Sequence, residues 1–224
     1  RLDETLVESG LNYSVIVVDD GSSDETAESL ESLAEKYPLQ AYRNPQNMGL
    51  GRTLKRGLEI ALAQADPNDI IVTMDGDDTH PPATIREMTF LINGGFDVVI
   101  ASRFRQGASV DGLSSFRESL SGFGRFLFIG LMPIKGVRDF TCGFRAFRAS
   151  ALQQAAQDFG PRFMTETGFT VTADLLLRLR GRGLRFAEVP LHLAYQNKTS
   201  PSKMKVVKTT LQTFKLLLKR RLGY

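Results

Sequence analysis

The chain lacks several features that would place it in a specialised class of protein. Its single cysteine, Cys142, excludes an intramolecular disulfide framework and is compatible with a reducing compartment. No apolar run approaches the roughly 18–20 residues that span a bilayer, and no signal peptide is recognised at the start. There is no internal repeat. With 224 residues, 42% of them hydrophobic and 24% charged, the sequence predicts one globular domain, or one domain with a tail.

Acidic residues are absent from the C-terminal part of the chain. No Asp or Glu follows Glu188, whereas eight Lys and Arg residues do. The rest of the chain has 20 basic and 25 acidic residues, so the net charge of +3 divides into −5 for the body and +8 for the tail. A body and a tail of opposite charge indicate a negatively charged surface as a partner.

An acidic loop follows an apolar, β-branched run at residues 69–74, which is typical of a buried strand. The loop begins with Asp75, Gly76, Asp77 and Asp78. Three carboxylates so close together repel one another and are costly to desolvate, so they favour a bound cation. Hard oxygen ligands suit Mg²⁺ or Mn²⁺, and such an ion usually also holds substrate phosphates. A solvated acidic turn is the alternative for this motif taken alone.

A second acidic loop, Asp19 and Asp20, follows a β-prone run at residues 13–18. Predicted helices at residues 25–36 and 49–64 separate the predicted strands, which favours an α/β fold with a mostly parallel sheet flanked by helices. Ligands of such sheets bind beyond the carboxyl ends of the strands, where both acidic loops fall. Two acidic loops at one edge make a functional site the better interpretation.

Motifs in a fixed order extend over most of the chain. The first group comprises residues 17–24 (VVDDGSSD), 47–51 (NMGLG), 75–77 (DGD) and 80–82 (HPP). The second group comprises residues 101–104 (ASRF), 139–145 (DFTCGFR), 188–190 (EVP) and 202–203 (SK). The first group resembles family 2 glycosyltransferases of the GT-A fold, and the second resembles the dolichol-phosphate mannose synthase branch of that family.

The resemblance implies a donor site for a nucleotide sugar. Asp19 and Asp20 would contact the base and ribose of the donor. Asp75 and Asp77 would hold Mg²⁺ or Mn²⁺ on the diphosphate, with Thr79 as a further metal ligand. Lys203 would lie on a loop that closes over the donor.

The resemblance also implies an acceptor site for a polyprenyl phosphate. Arg103, Arg117 and Ser121 match positions that bind the acceptor phosphate, and Asp77, Arg103 and Arg117 would be the catalytic residues. Fork-shaped guanidinium groups suit a phosphate. A phosphate monoester is already an anionic nucleophile, so no strong general base is required, and His80 is better interpreted as a turn residue.

The resemblance divides the chain at Lys203. Residues 1–203 would be a GT-A catalytic domain that is truncated at its N-terminus, because the family begins with a strand that is missing here. Residues 204–224 would be a basic amphipathic helix that either packs on the domain with a solvated outer side or lies on an anionic membrane surface. We therefore expect a cytoplasmic protein, peripheral at the cytoplasmic face of a membrane, with no nucleic-acid partner.

The predicted activity is metal-dependent transfer of a hexose from a nucleotide sugar to a dolichyl or undecaprenyl phosphate. Mannose from GDP-mannose is the first choice, and glucose from UDP-glucose is the alternative. Two other classes share parts of the pattern. A sugar-phosphate nucleotidyltransferase has a similar α/β layout, and a receiver-type signalling domain also has an acidic pair after its first strand.

Overall fold

The computed structural model describes residues 1–111, 125–194 and 206–222, in which helices and strands alternate. The helices are α1 (Leu2–Glu8), α2 (Thr26–Ala34), α3 (Leu50–Gln64), α4 (Thr84–Asn93), α5 (helical at 125–131), α6 (Ala149–Phe159), α7 (Val171–Leu179) and α8 (Val206–Arg221). The strands are β1 (Val15–Asp19), β2 (Leu39–Arg43), β3 (Ile70–Thr73), β4 (Val98–Ser102), β5 (Ser109–Asp111), β6 (Arg145–Arg148), β7 (Phe186–Pro190) and β8 (His192–Ala194).

The described strands form three sheets. The central sheet has the order β3-β6-β4-β7, and two parallel pairs, β1-β2 and β5-β8, accompany it. Within the central sheet β4 and β7 are parallel, whereas β6 lies antiparallel between β3 and β4. In the described part of the chain β1 and β3 share no ladder. The predicted α/β class with flanking helices is confirmed, and the sheet also contains one antiparallel strand.

The hydrophobic core lies around β4 and α7. The side chains of residues 98–101 in β4 are fully buried, as expected for an apolar strand covered on both faces. All nine residues of α7 are buried, and its leucines, Leu175, Leu176, Leu177 and Leu179, belong to the core. The last described helix, α8, adds Leu216 and Leu217 to the same core. The proposed division of the chain at Lys203 stays a prediction.

No helix in the three described ranges is long and apolar enough to cross a membrane.

Candidate active site

Asp19 stabilises the first acidic loop. It ends β1 and is buried, and its Oδ1 accepts a hydrogen bond of 3.0 Å from the backbone N–H of Ser22. Arg43, the residue paired with Asp19 on β2, places its Nε 3.3 Å from Asp19 Oδ2. The same guanidinium donates to the carbonyl oxygen of Ser22 over 2.7 Å. One arginine therefore holds both the carboxylate and the turn that follows it.

Asp20 joins this loop to the start of α3. Its carboxylate accepts hydrogen bonds of 2.8 Å from the backbone N–H groups of Met48 and Gly49 and from Asn44 Nδ2. Burial alone would raise the pKa of Asp20, but these donors and Thr53 lower it below its usual value. Both carboxylate oxygens thus make internal bonds in this structure. The expected contact of Asp19 and Asp20 with the donor stays a prediction, and the structure adds that Asp20 positions the turn before α3.

Gly51, in the first turn of α3, lets that helix approach the chain segment before α7. Its N–H donates to the carbonyl oxygen of Thr167 over 3.0 Å. A Cβ at this position would lie 2.5 Å from Thr167 Cα and closer still to the carbonyl oxygen of Glu166. Both obstacles are backbone atoms, which cannot rotate away. The sequence offered Gly51 as part of a motif, and the structure gives the physical reason for the glycine.

Gly51→Ala should therefore destabilise the protein by about 1–3 kcal/mol, the cost of overpacking a closely packed contact. Gly57→Ala, on the same helix, is the matched control, because its Cβ would meet Val18 Cγ2 at an ordinary 3.5 Å. Alanine also favours a helix over glycine, so Gly57→Ala should be neutral or stabilising. Urea unfolding of the two variants gives the comparison, and equal stabilities would contradict the close approach at Gly51.

The second acidic loop follows β3 and is fixed by two short contacts. The backbone N–H of Asp75 donates to His80 Nδ1 over 3.1 Å, and the buried His80 ring stacks on Phe144 with 4.8 Å between centroids. Asp77 Oδ1 accepts from the hydroxyl of Thr79 over 2.6 Å. The interpretation of His80 as a turn residue agrees with this geometry. Thr79 is buried and its hydroxyl donates to Asp77, so it orients that carboxylate.

The residues of this loop fit a Mg²⁺ or Mn²⁺ ion that is shared with a substrate. Such ions take one or two protein carboxylates and complete their octahedron with water and phosphate oxygens. Asp75 and Asp77 supply that number, and Asp77 is already held in one orientation by Thr79. Among the described residues no group of three or more His, Cys, Asp or Glu side chains could hold an ion by itself.

Arg103 is held by a buried carboxylate. Its Nε and Nη2 donate to the two oxygens of Asp139, each over 2.8 Å, and Nη2 also reaches the hydroxyl of Thr141 at 2.6 Å. Burial alone would lower the pKa of Arg103, but Asp139 raises it above its usual value. Burial alone would raise the pKa of Asp139, and the Arg103 guanidinium lowers it to about 2. The pair is therefore an ionised fork-to-fork salt bridge.

Glu188, on β7, stabilises the backbone that carries Asp139. Its Oε1 accepts from the backbone N–H groups of Arg138 and Asp139 over 2.6 and 2.7 Å. Burial raises the pKa of Glu188, and these two donors act against that shift. Asp139 and Glu188 stand in recognised motifs, but their mutual contact spans 49 residues and leaves no signal in a single sequence.

Arg145 connects the same loop to α7. It is fully buried, and its guanidinium donates to the carbonyl oxygens of Phe140, over 2.8 Å, and of Thr172. Burial lowers the pKa of Arg145 to about 10. Arg145 ends the motif at residues 139–145, which by itself predicts no role for this side chain. The structure shows that it holds the loop at residues 139–143 in position.

The loop at residues 139–143 lies next to Asp75 at one end and holds Arg103 at the other. Gly143 lies beside the second acidic loop, since a Cβ on it would be 3.7 Å from Asp75 Oδ1. Its carbonyl oxygen accepts from the Thr73 hydroxyl over 2.7 Å. Asp139, at the other end of the loop, holds Arg103. A loop of five residues therefore connects the surroundings of Asp75, the proposed metal ligand, to the salt bridge of Arg103, the proposed acceptor ligand.

Three predicted site residues, Arg117, Ser121 and Lys203, lie outside the described residues. A serine and a histidine lie side by side elsewhere in the described residues. Ser109 Oγ and His192 Nδ1 are 3.0 Å apart, as directly paired residues of the parallel strands β5 and β8. His192 is exposed, and a cross-strand pair of this kind stabilises a small sheet.

The chain belongs to glycosyl transferase family 2. The model of that family, described as Glycosyl transferase family 2, matches residues 2–155. The chain is 31% identical over 194 residues to the dolichol-phosphate mannosyltransferase of Pyrococcus furiosus, which covers 85% of this chain and 50% of that protein. It is 29% identical over 183 residues to the polyprenol monophosphomannose synthase of Mycolicibacterium smegmatis, which covers 79% of this chain and 65% of that one. The chain thus spans half to two thirds of the length of these two relatives.

The fold is that of GT-A glycosyltransferases. A crystal structure of glucosyl-3-phosphoglycerate synthase from Mycobacterium tuberculosis, in complex with Mn²⁺, uridine diphosphate and phosphoglyceric acid, matches with a TM-score of 0.64 and 19% identity. The match covers 98% of this chain and 73% of the synthase. The predicted family and fold class are therefore both confirmed.

Proposed function

We propose that this protein transfers one hexose from a nucleotide sugar to a polyprenyl phosphate. The observation that carries the proposal is the loop at residues 139–143, which adjoins Asp75 at one end and holds Arg103 at the other. Asp75, which suits a metal–diphosphate, and Arg103, which suits a phosphate monoester, are thus next to the two ends of one five-residue loop. The relatives named for mannosyl transfer to dolichol phosphate and polyprenol phosphate support the same substrates.

On the donor side, Asp75 and Asp77 would hold Mg²⁺ or Mn²⁺ against the diphosphate, and Thr79 orients Asp77. The metal would neutralise the charge that develops on the departing nucleoside diphosphate. Asp19 and Asp20 would line the nucleotide site, where Asp20 also fixes the turn before α3. Lys203 would add a positive charge near the diphosphate. The Mn²⁺ complex of the structural neighbour supports the use of a divalent ion.

On the acceptor side, Arg103 with Arg117 and Ser121 would bind the phosphate of the polyprenyl chain. A phosphate oxygen of that acceptor attacks the anomeric carbon, the new C–O bond forms, and the bond to the diphosphate breaks. The nucleophile is anionic before it binds, so the reaction needs no histidine base. His80 accordingly serves the backbone of Asp75.

Mannose from GDP-mannose is the proposed donor, and glucose from UDP-glucose is the second candidate. The names of the two relatives favour mannose, whereas the structural neighbour was crystallised with uridine diphosphate. Family membership favours glycosyl transfer over nucleotidyl transfer and over a receiver domain. The acceptor has a lipid tail, so the protein would work at the cytoplasmic face of a membrane, against an anionic surface.

The test is an assay with GDP-mannose or UDP-glucose, Mn²⁺ and a polyprenyl phosphate, followed by mass spectrometry of the lipid. We expect hexosyl-phosphopolyprenol and free nucleoside diphosphate, and release of pyrophosphate would instead indicate a nucleotidyltransferase.

Arg117→Ala should raise the KM for the acceptor about tenfold or more, with little effect on donor affinity. Lys203→Ala is its counterpart and should weaken donor binding. Loss of donor affinity in Arg117→Ala, with unchanged acceptor kinetics, would contradict the assignment of Arg117 to the acceptor and Lys203 to the donor.

A further inference from the structure

Helix α8 has two apolar faces, and only one of them is packed. Leu216 and Leu217 are buried in the core, and Arg220 on the same side is 8% exposed. With 3.6 residues per turn, the opposite side forms a second apolar row that points away from the body of the protein. This outer row consists of Leu211, Phe214, Leu218 and Leu222, which are 61%, 48%, 45% and 71% exposed.

The packed face fixes the direction of the outer row. Arg220 Nε donates to Asp174 Oδ1 over 2.6 Å, and Arg178 lies 3.3 Å from the other oxygen of the same buried carboxylate. Lys219 adds a contact of 3.3 Å to Glu166. Breaking a buried pair of this kind leaves an uncompensated charge, so α8 is held firmly in one orientation. The outer row is therefore a fixed surface of the protein.

The charges on α8 complement an anionic partner. Its sequence contains no Asp or Glu, and Lys215 and Lys219 flank the outer row on one side while Arg221 flanks it on the other. Lys215 and Arg221 are exposed, whereas the charge of Arg220 is balanced by Asp174. Among the described charges of the tail, that of Arg220 is thus directed inwards, whereas those of Lys215 and Arg221 lie beside the apolar row.

We propose that the outer row of α8 inserts into an anionic lipid surface, with Lys215 and Arg221 at the headgroups. An apolar row bordered by basic residues is the pattern of a helix that lies in the membrane interface. A second copy of this chain fits less well, because two acid-free helices would bring like charges together. The inference deepens the proposed function by identifying the membrane-binding surface, and it rests on that function only for its biological purpose.

The experiment uses the whole chain and vesicles that contain neither nucleotide sugar nor polyprenyl phosphate, so a failure of sugar transfer cannot affect it. We expect cosedimentation with vesicles of phosphatidylglycerol and phosphatidylcholine, release in high salt, and weak binding to phosphatidylcholine alone. Replacing both Leu211→Gln and Leu218→Gln should lower the apparent affinity for the mixed vesicles at least about tenfold, because it removes apolar surface and leaves the charge unchanged.

Matched controls separate the outer row from exposed apolar surface in general. Val7→Gln with Phe90→Gln changes two side chains that are 61% and 75% exposed on other helices, and this variant should bind as the unchanged protein does. Lys215→Gln should weaken binding, whereas Lys135→Gln, at an exposed position outside α8, should not. Circular dichroism verifies that each variant is folded.

Two results would overturn the proposal. One is equal vesicle binding by the Leu211→Gln/Leu218→Gln variant and the unchanged protein. The other is a dimer in light scattering that this variant abolishes, without vesicle binding by the unchanged protein, which would make the outer row an interface between copies.

Discussion

Asp77→Asn should abolish sugar transfer while leaving the protein folded. The substitution removes one of the two proposed charged metal ligands, and we expect kcat to fall by about a thousandfold or more, equal to roughly 4 kcal/mol of transition-state stabilisation. Asparagine has nearly the shape of aspartate, and its Oδ1 can still accept the hydrogen bonds from Thr79, so the loop should keep its conformation. Relief of the repulsion among neighbouring carboxylates should keep or raise the melting temperature of the metal-free protein. Steady-state kinetics and thermal melts measure both effects.

Asp78→Asn is the matched control for this experiment. Asp78 is the next carboxylate in the loop, but it is exposed and forms an ion pair with Arg1. Its neutralisation changes the local charge by the same amount without removing a proposed metal ligand, so turnover should persist. A fully active Asp77→Asn enzyme, or undiminished activity in EDTA, would show that the metal is held elsewhere or is not needed.

Asp139→Asn should cause the largest loss of stability among single substitutions near the site. It leaves the Arg103 guanidinium, whose side chain is 20% exposed, without its buried counter-charge. Removing one partner of a buried ion pair costs about 3–5 kcal/mol. Asp158→Asn is the control, because its pair with Arg182 lies at the surface, where an ion pair contributes little. Urea unfolding should show a large loss for the first variant and little change for the second.

Asp139→Asn should also change how the free energy of unfolding depends on pH under acidic conditions. The pKa of Asp139 falls from 3.8 to about 2 on folding, so its ionised form stabilises the native state. This contribution is fully present above about pH 4 and is lost as the pH falls towards 2, and the linkage amounts to about 2 kcal/mol. Asp139→Asn should therefore show a flatter dependence of unfolding free energy on pH in that interval. If the unfolding free energy of the variant depends on pH as steeply as that of the unchanged protein, Asp139 is not the group whose ionisation stabilises the native state in this interval.

The local elements could be predicted from sequence because their signals are local. The helix predicted at residues 49–64 is observed as Leu50–Gln64, since Gly49 marks its start and apolar residues repeat at helical spacing. The strand predicted at residues 13–18 is observed as Val15–Asp19, from its β-branched residues. The position of β6 could not be predicted, because Thr73 and Arg145 pair across 72 residues. Its antiparallel direction depends on that long-range pairing.

The sequence predicted which residues belong to the candidate site, but not which side chains contact one another within it. Asp75, Asp77 and Arg103 stand in sequence motifs, and the structure places Asp75 and Arg103 at the two ends of the loop at residues 139–143. What sequence could not supply was the partner of each group. The carboxylate of Asp20 accepts from Met48, and Asp139 depends on Glu188, although long stretches of chain separate the members of each pair. These roles arise from folding and have no short-range pattern.

The salt bridge between Arg103 and Asp139 has a consequence for turnover. An arginine whose charge is already balanced attracts a phosphate less strongly than an isolated one, so Arg103 would hold the proposed lipid acceptor by a modest electrostatic difference. In the proposed reaction the acceptor phosphate arrives as a monoester, with up to two negative charges, and leaves as a diester with one. The attraction therefore weakens as the new bond forms. Asp139 would in this way favour departure of the glycosylated lipid as well as hold the arginine that binds its precursor.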